Sequence, residues 1–113
     1  MSRKDITSLL QRLDAFEERL GVRLEALSAF ESKDEFQDEA DITVRGELHA
    51  VNGTNLDQDI NLELSVFDAE GRIIETGTDW IQAESFFGFH TFQITCYAPP
   101  GTTQKLRLVP KPV

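Results

Sequence analysis

Residues 60–77 read INLELSVFDAEGRIIETG. Apolar Ile60, Leu62, Leu64 and Val66 alternate with Asn61, Glu63 and Ser65, the period of a strand with one face buried. Asp68-Ala69-Glu70-Gly71 supplies turn formers, and a second β-rich run begins at Arg72. The stretch predicts a β-hairpin, and with it an antiparallel β domain over 42–113. It sets architecture, not chemistry, because none of its alternating residues is a reactive group.

Further strands are expected on both sides. Upstream, Ile42, Val44, Leu48 and Ala50 alternate with Thr43, Arg45, Glu47 and His49, and Gly46 marks a bulge. The loop 52–59 is made of turn formers except Leu56; its Asn52-Gly53-Thr54 reads as a turn rather than a glycosylation acceptor. In the second arm of the hairpin Gly77 marks a bend or bulge, and Trp80 is assigned to the core. Residues 84–88 form a loop, and Phe89 to Tyr97 is a strand with Phe92, Ile94 and Cys96 on one face. A turn at Pro99-Pro100-Gly101 leads to a last strand from Gln104 to Val109, which Pro110 and Pro112 terminate. Strands separated by turns in this way predict a sandwich.

Residues 1–31 carry a different period. Ile6, Leu13, Leu20 and Leu27 recur every seven residues, with Leu9, Phe16 and Phe30 at the companion positions. This is the a/d spacing of a coiled coil, and it predicts an amphipathic α-helix ahead of the β domain. Gly21 lies outside the seam and allows a break into two shorter helices. The stripe needs a partner, either its own β domain or the same helix of another copy, and the heptad spacing favours the second. The acidic stretch 32–41, in which Phe36 is the large apolar residue, is expected to be a linker.

Composition narrows the functional classes. The chain has 113 residues, one domain with an appendage, and a formal charge of -9 from 11 basic and 20 acidic residues. So acidic a surface repels phosphate backbones and anionic membranes, so neither nucleic acid nor a membrane is an expected partner. No run of about 18 apolar residues offers a membrane span. One cysteine permits no internal disulfide, and no leader-like N-terminal segment is seen, so the expected location is cytoplasmic.

At the hairpin the sequence resembles the FxLYD family of small immunoglobulin-like bacterial and archaeal domains. The resemblance rests on Leu64-Ser65-Val66-Phe67-Asp68 followed by Glu70-Gly71-Arg72-Ile73-Ile74. Val44-Arg45-Gly46-Glu47-Leu48 with Asn52 is similar to the family's opening strand, and Phe89 to Ile94 to its penultimate one. Val66 and Phe67 stand where Leu and Tyr are usual. The resemblance covers about 42–97 and implies an immunoglobulin-like antiparallel β-sandwich acting as an accessory or interaction module. It brings no catalytic residue.

No nucleophile or phosphate-binding motif is present, and no enzyme is expected. His49, His90 and Cys96 lack the close spacing of metal ligands. Asp57 and Asp59 are the calcium candidates, in a loop without the spacing of an EF-hand. No cofactor is expected. The remaining feature is the aromatic run Phe86, Phe87 and Phe89, a candidate binding surface if its rings are exposed. The sequence therefore predicts a non-enzymatic interaction or assembly protein, a homo-oligomer through its helix that displays a β-sandwich to a protein partner. The alternative is a ligand-binding module for calcium or carbohydrate, using the loops 52–59 and 86–89.

Overall fold

The computed structural model describes residues 2–113, and the expected helix's Met1 lies outside the described residues. The strands are β1 (Ser2–Asp5), β2 (Leu10–Arg12), β3 (Val22–Lys33), β4 (Ala40–Ala50), β5 (Ile60–Phe67), β6 (Ile73–Ile81), β7 (Phe89–Ala98) and β8 (Lys105–Pro112). Among the described residues one α-helix, α1 (Asp14–Leu20), stands between β2 and β3, and 3-10 turns form at Thr7–Leu9 and Ala83–Ser85. Two four-stranded sheets form, in the orders β1-β3-β4-β7 and β2-β8-β5-β6. Pairing is antiparallel except between β2 and β8, which are parallel. The protein is mainly β, and the two sheets pack as a sandwich.

Alternation fills the space between the sheets. Ile42, Val44 and Leu48 of β4, Phe92, Ile94 and Cys96 of β7, Ile60, Leu62, Leu64 and Val66 of β5, and Leu106 and Leu108 of β8 share one buried cluster. Most of their strand neighbours turn toward water, as half-buried antiparallel strands require, while Ser65 and Val109 are buried on the outer side. The turn after β5 is held by Asp68, whose Oδ1 accepts the backbone N–H groups of Glu70 (3.0 Å) and Arg72 (2.9 Å). Gly71 takes φ 79° there, a conformation that favours glycine. The last strand runs on through both prolines to Pro112. Pro110 and Pro112 pair with β5 on one side and lie beyond the three residues that β2 covers, so their missing N–H groups are not needed.

The expected N-terminal helix of 1–31 is not present. The segment's helical parts are α1 and a single 3-10 turn at Thr7–Leu9, and β1, β2 and β3 account for most of the rest. Gly21 ends α1 at φ 68°, and its N–H donates to Glu18 O. Val22 and Leu24 then alternate with Arg23 and Glu25, and β3 lies between β1 and β4. The heptad series runs across separate elements: Ile6 follows β1, Leu13 precedes α1, Leu20 ends it, and Leu27 sits in a bulge of β3. Glu25 pairs with Glu47 and Ser28 with Arg45, so Ala26 and Leu27 stand opposite the single residue Gly46. The extra residue reverses the inward parity of β3: Leu24 is buried before it and Ala29 after it. The period of seven is therefore the sum of a turn, a short helix and a bulged strand, not a continuous seam.

The expected linker 32–41 is shorter than its sequence implied, because Ser32 and Lys33 belong to β3 and Ala40 and Asp41 to β4. The two glycines also differ from expectation. The bulge associated with Gly46 lies on the neighbouring strand, and a Cβ at Gly46 would come within 2.6 Å of Leu27 Cδ2 and 2.9 Å of Phe92 Cζ. Gly77 sits in unbroken register with Leu64. It is small because Ile94 Cγ2 and Cys96 Sγ of the facing sheet would lie 2.8 and 2.9 Å from a Cβ.

Candidate interaction corner

Strand register assembles a cluster at one end of the sandwich. Glu25 faces Glu47 across β3 and β4, and His49 faces Phe89 across β4 and β7. All four side chains share the outer surface of their sheet, as their strand parity requires. His49 Nε2 lies 3.0 Å from Glu47 Oε1 and 3.2 Å from Glu25 Oε2. Its ring stacks on Phe89 with centroids 5.5 Å apart and planes inclined by 19°. Phe89 is thus held on one side by an imidazole that two carboxylates orient.

The aromatic loop splits by burial. Phe86 is 7% exposed and joins the core, whereas Phe87 is 76% and Phe89 53% exposed. Gly88 reverses the chain between the exposed pair at φ 84°; its N–H donates to Thr54 O and its carbonyl accepts from Ala50 N–H. These bonds tie the aromatic loop to the loop 52–59 and to the end of β4. Val51, also exposed, donates its N–H to Gly21 O and brings the end of α1 to the same corner. A depression of about 710 Å³ adjoins it, lined by Glu18, Arg23, Glu25, Val51 and Asn52 among others.

Glu17, whose residues sequence reading left unremarked, forms the depression's inner support. It is 3% exposed, and both its oxygens are engaged. Oε2 accepts Arg12 Nε at 3.0 Å; Oε1 accepts Arg12 Nη2 and, at 2.9 Å, the Leu24 N–H. One carboxylate so joins β2, α1 and β3, and it raises the Arg12 guanidinium further above its ordinary value. The sequence carried no signal for it, because in a helix spanning 1–31 Glu17 is one acidic residue among several.

The other expected site residues are dispersed. Ile6 is buried in the sandwich core and donates its N–H to Ala29 O. Leu9, Leu20 and Leu27 pack partly buried against that core. Leu13 precedes α1 as its N-cap, and Phe16 is 37% exposed on α1. Phe30 sits in β3 with the Arg3 guanidinium 3.9 Å from its ring centre. Ile6, Leu9, Leu20 and Leu27 thus turn into the protein's own core, whereas Phe16 and Phe30 lie outside it, so the seven form no common seam.

Of the calcium candidates, Asp57 is exposed, and Asp59 is committed to structure. Asp59 Oδ1 accepts the Ala83 N–H at 2.9 Å, and Oδ2 accepts Trp80 Nε1–H at 3.3 Å. Trp80, expected in the core, is 57% exposed because Ile81 takes the inward place opposite Ile60. His90 pairs with Asp79 at 3.0 Å between the two sheets, and Cys96 is buried with its thiol pushed up by loss of solvent. Among the described residues no group of three or more His, Cys, Asp or Glu is placed to hold a metal ion, and no helix is long and apolar enough to cross a membrane.

No family model and no curated relative matches the chain. Among solved structures, a crystal structure of a candidate β-galactosidase from Bacteroides fragilis is similar at a TM-score of 0.36 and 18% identity. The match covers 82% of this chain and 16% of that one, so the chain spans a small part of that protein's length, and a likeness of this degree carries no argument about activity.

Proposed function

We propose that the protein is a non-enzymatic interaction module, an immunoglobulin-like sandwich that captures a protein segment at the Phe87–Phe89 corner. The observation that carries this reading is the pair of exposed rings, Phe87 on a loop whose backbone is bonded to β4 and to Thr54, and Phe89 stacked on His49 with Glu25 and Glu47 beside it. Rigid aromatic surface loses little side-chain entropy on binding and dominates interface energies. The flanking carboxylates, on a chain of charge -9, select a partner with basic as well as apolar side chains. The pairings of β4 with β7 and of β5 with β8 match the B–E and C–F pairs of an immunoglobulin domain if β3 is taken as its first strand. That order, with the FxLYD resemblance of 42–97, supports an accessory role.

Selection of random peptides on the immobilised chain tests the proposal. Enriched peptides are expected to combine Lys or Arg with a large apolar residue. Phe87→Ser is expected to weaken their binding at least tenfold, and Glu47→Gln to weaken it less and to flatten its salt dependence. Absence of enrichment, or equal binding by Phe87→Ser, overturns the reading.

A second reading has its own observation. The exposed Trp80 ring is fixed by its bond to Asp59, a platform on which a sugar ring could stack. A glycan panel read by tryptophan fluorescence distinguishes it, and an unchanged spectrum with every glycan ends it.

A further inference from the structure

The four sheet edges are not protected alike. β1 is four residues long and reads SRKD, and β2 has three residues. β6 carries Glu75 and Asp79. β7 is ten residues long, reads FHTFQITCYA and pairs on one side only, with β4. In a chain that is 27% charged, this edge has no Asp, Glu, Lys, Arg or Pro, and its single histidine is bonded to Asp79. Long, uncharged, unbroken edges are those that pair with another chain.

The register identifies the free backbone groups. Ala50 N–H donates to Gly88 O in line with the β4–β7 register. Alternation then directs the backbone groups of even-numbered β7 residues to β4, and those of Phe89, Thr91, Gln93, Thr95 and Tyr97 to the open edge. The same five residues are the exposed row of the strand. Read from either end, the row is nearly the same: aromatic, Thr, Gln, Thr, aromatic.

We propose that the occupant of this edge is a second copy of the chain, paired antiparallel along β7 about a two-fold axis at Gln93. Gln93 then faces Gln93 of the other copy, Thr91 faces Thr95, and Phe89 faces Tyr97, at both ends. Every free N–H and C=O of the row gains a partner, aromatic meets aromatic, and no like charges are opposed. A two-fold axis demands such a self-complementary surface, which an arbitrary partner strand would not. The uncharged strip is also where two acidic chains approach with least local repulsion. The two β7-containing sheets become one continuous sheet. The inference is independent of the Phe87 corner, with which it shares only Phe89.

Sedimentation of the full chain across a concentration series tests it. The expected result is a rise from the 12.8 kDa chain mass to twice that value, at lower concentration as added salt screens the net charge. Gln93→Lys replaces the acceptor of Arg45 Nε–H (3.0 Å) by a cation and places two ammonium groups at the axis; it is expected to lower the melting temperature slightly and to leave the chain a monomer. Gln93→Cys in a Cys96→Ala background is expected to form an intermolecular disulfide on mild oxidation, because facing residues of a hydrogen-bonded pair lie about 5.5 Å apart at Cα. Thr43→Cys in that background, on the inner neighbour strand, is expected not to. This cross-link decides the matter if Gln93→Lys fails to fold. A monomer at every concentration, or a dimer that Gln93→Lys spares and Gln93→Cys does not cross-link, overturns the proposal. Phe87→Ser is expected to leave the dimer intact, which separates this test from that of the corner.

Discussion

The β5–β6 hairpin and the N-terminal segment 2–33 contribute comparably to the sandwich, yet they are held by different kinds of contact. The hairpin is local: its strands are joined by the five residues 68–72, and Asp68 binds the turn from within. The N-terminal segment is ordered from a distance. β1 and β3 attach to one sheet and β2 to the other, while Arg12, Glu17 and Leu24 are joined through one buried carboxylate. Local order can be read along the chain, whereas order imposed by remote partners imitates whatever period its irregularities produce.

Removing residues 1–33 breaks this comparison most severely. A coiled-coil appendage could be deleted without loss, but β3 is an internal strand and supplies Val22, Leu24 and Ala29 to the core. The truncated chain is expected to lose cooperative thermal unfolding and near-ultraviolet circular dichroism; a sharp transition would restore the idea of an appendage.

Glu17→Ala leaves the Leu24 N–H and the Arg12 guanidinium without their acceptor. Its expected cost is about 2–3 kcal/mol in urea denaturation, toward the low end for a buried pair because Arg12 keeps 38% of its side chain in solvent. A cost below about 0.5 kcal/mol would show that the N-terminal segment is held mainly by apolar packing.

Gly46→Ala puts a methyl group against Leu27 and Phe92 at the bulge. It is expected to destabilise by about 1–3 kcal/mol, less if Leu27 swings aside. The same substitution at Gly77 meets Ile94 and Cys96 and serves as a comparison outside the N-terminal segment.

The smallest expected effect is at the hairpin turn and depends on pH. Hydrogen bonds from the Arg72 and Glu70 backbone, with the Arg72 guanidinium, hold the Asp68 carboxyl below its ordinary value. Its contribution is therefore present above the unfolded-state value, near pH 4, and is lost as the pH falls through the lower folded value. Asp68→Asn is expected to lower the melting temperature at pH 7, and the difference from the parent to shrink in more acidic solution. A difference independent of pH would assign the turn's stability to its shape rather than to the carboxylate.

Much of β4, β5 and β7 was legible because strict alternation has one interpretation when no residue is inserted. Trp80 was misplaced because β6 is mixed in sequence; parity with Ile81, which faces Ile60, decides which side is inward. At the corner, Phe86, Phe87 and Phe89 were identified as a group, but adjacent aromatics cannot all face one way. Only packing showed that Phe86 is the buried member. The Glu25–Glu47–His49 cluster could not be read at all, since Glu25 lay in what looked like a helix.

By itself, the amino-acid sequence determined the hairpin, the inward rows of its neighbouring strands, the acidic charge and the uncharged character of residues 89–98. These follow from side-chain type and a period of two, which need no knowledge of partners. The tertiary structure alone decided the fate of the N-terminal third and which strand edge stays open. Both depend on pairings between residues far apart in the chain: Ala26 and Leu27 against Gly46, Ile6 beside Ala29, and β7 with a neighbour on one side only.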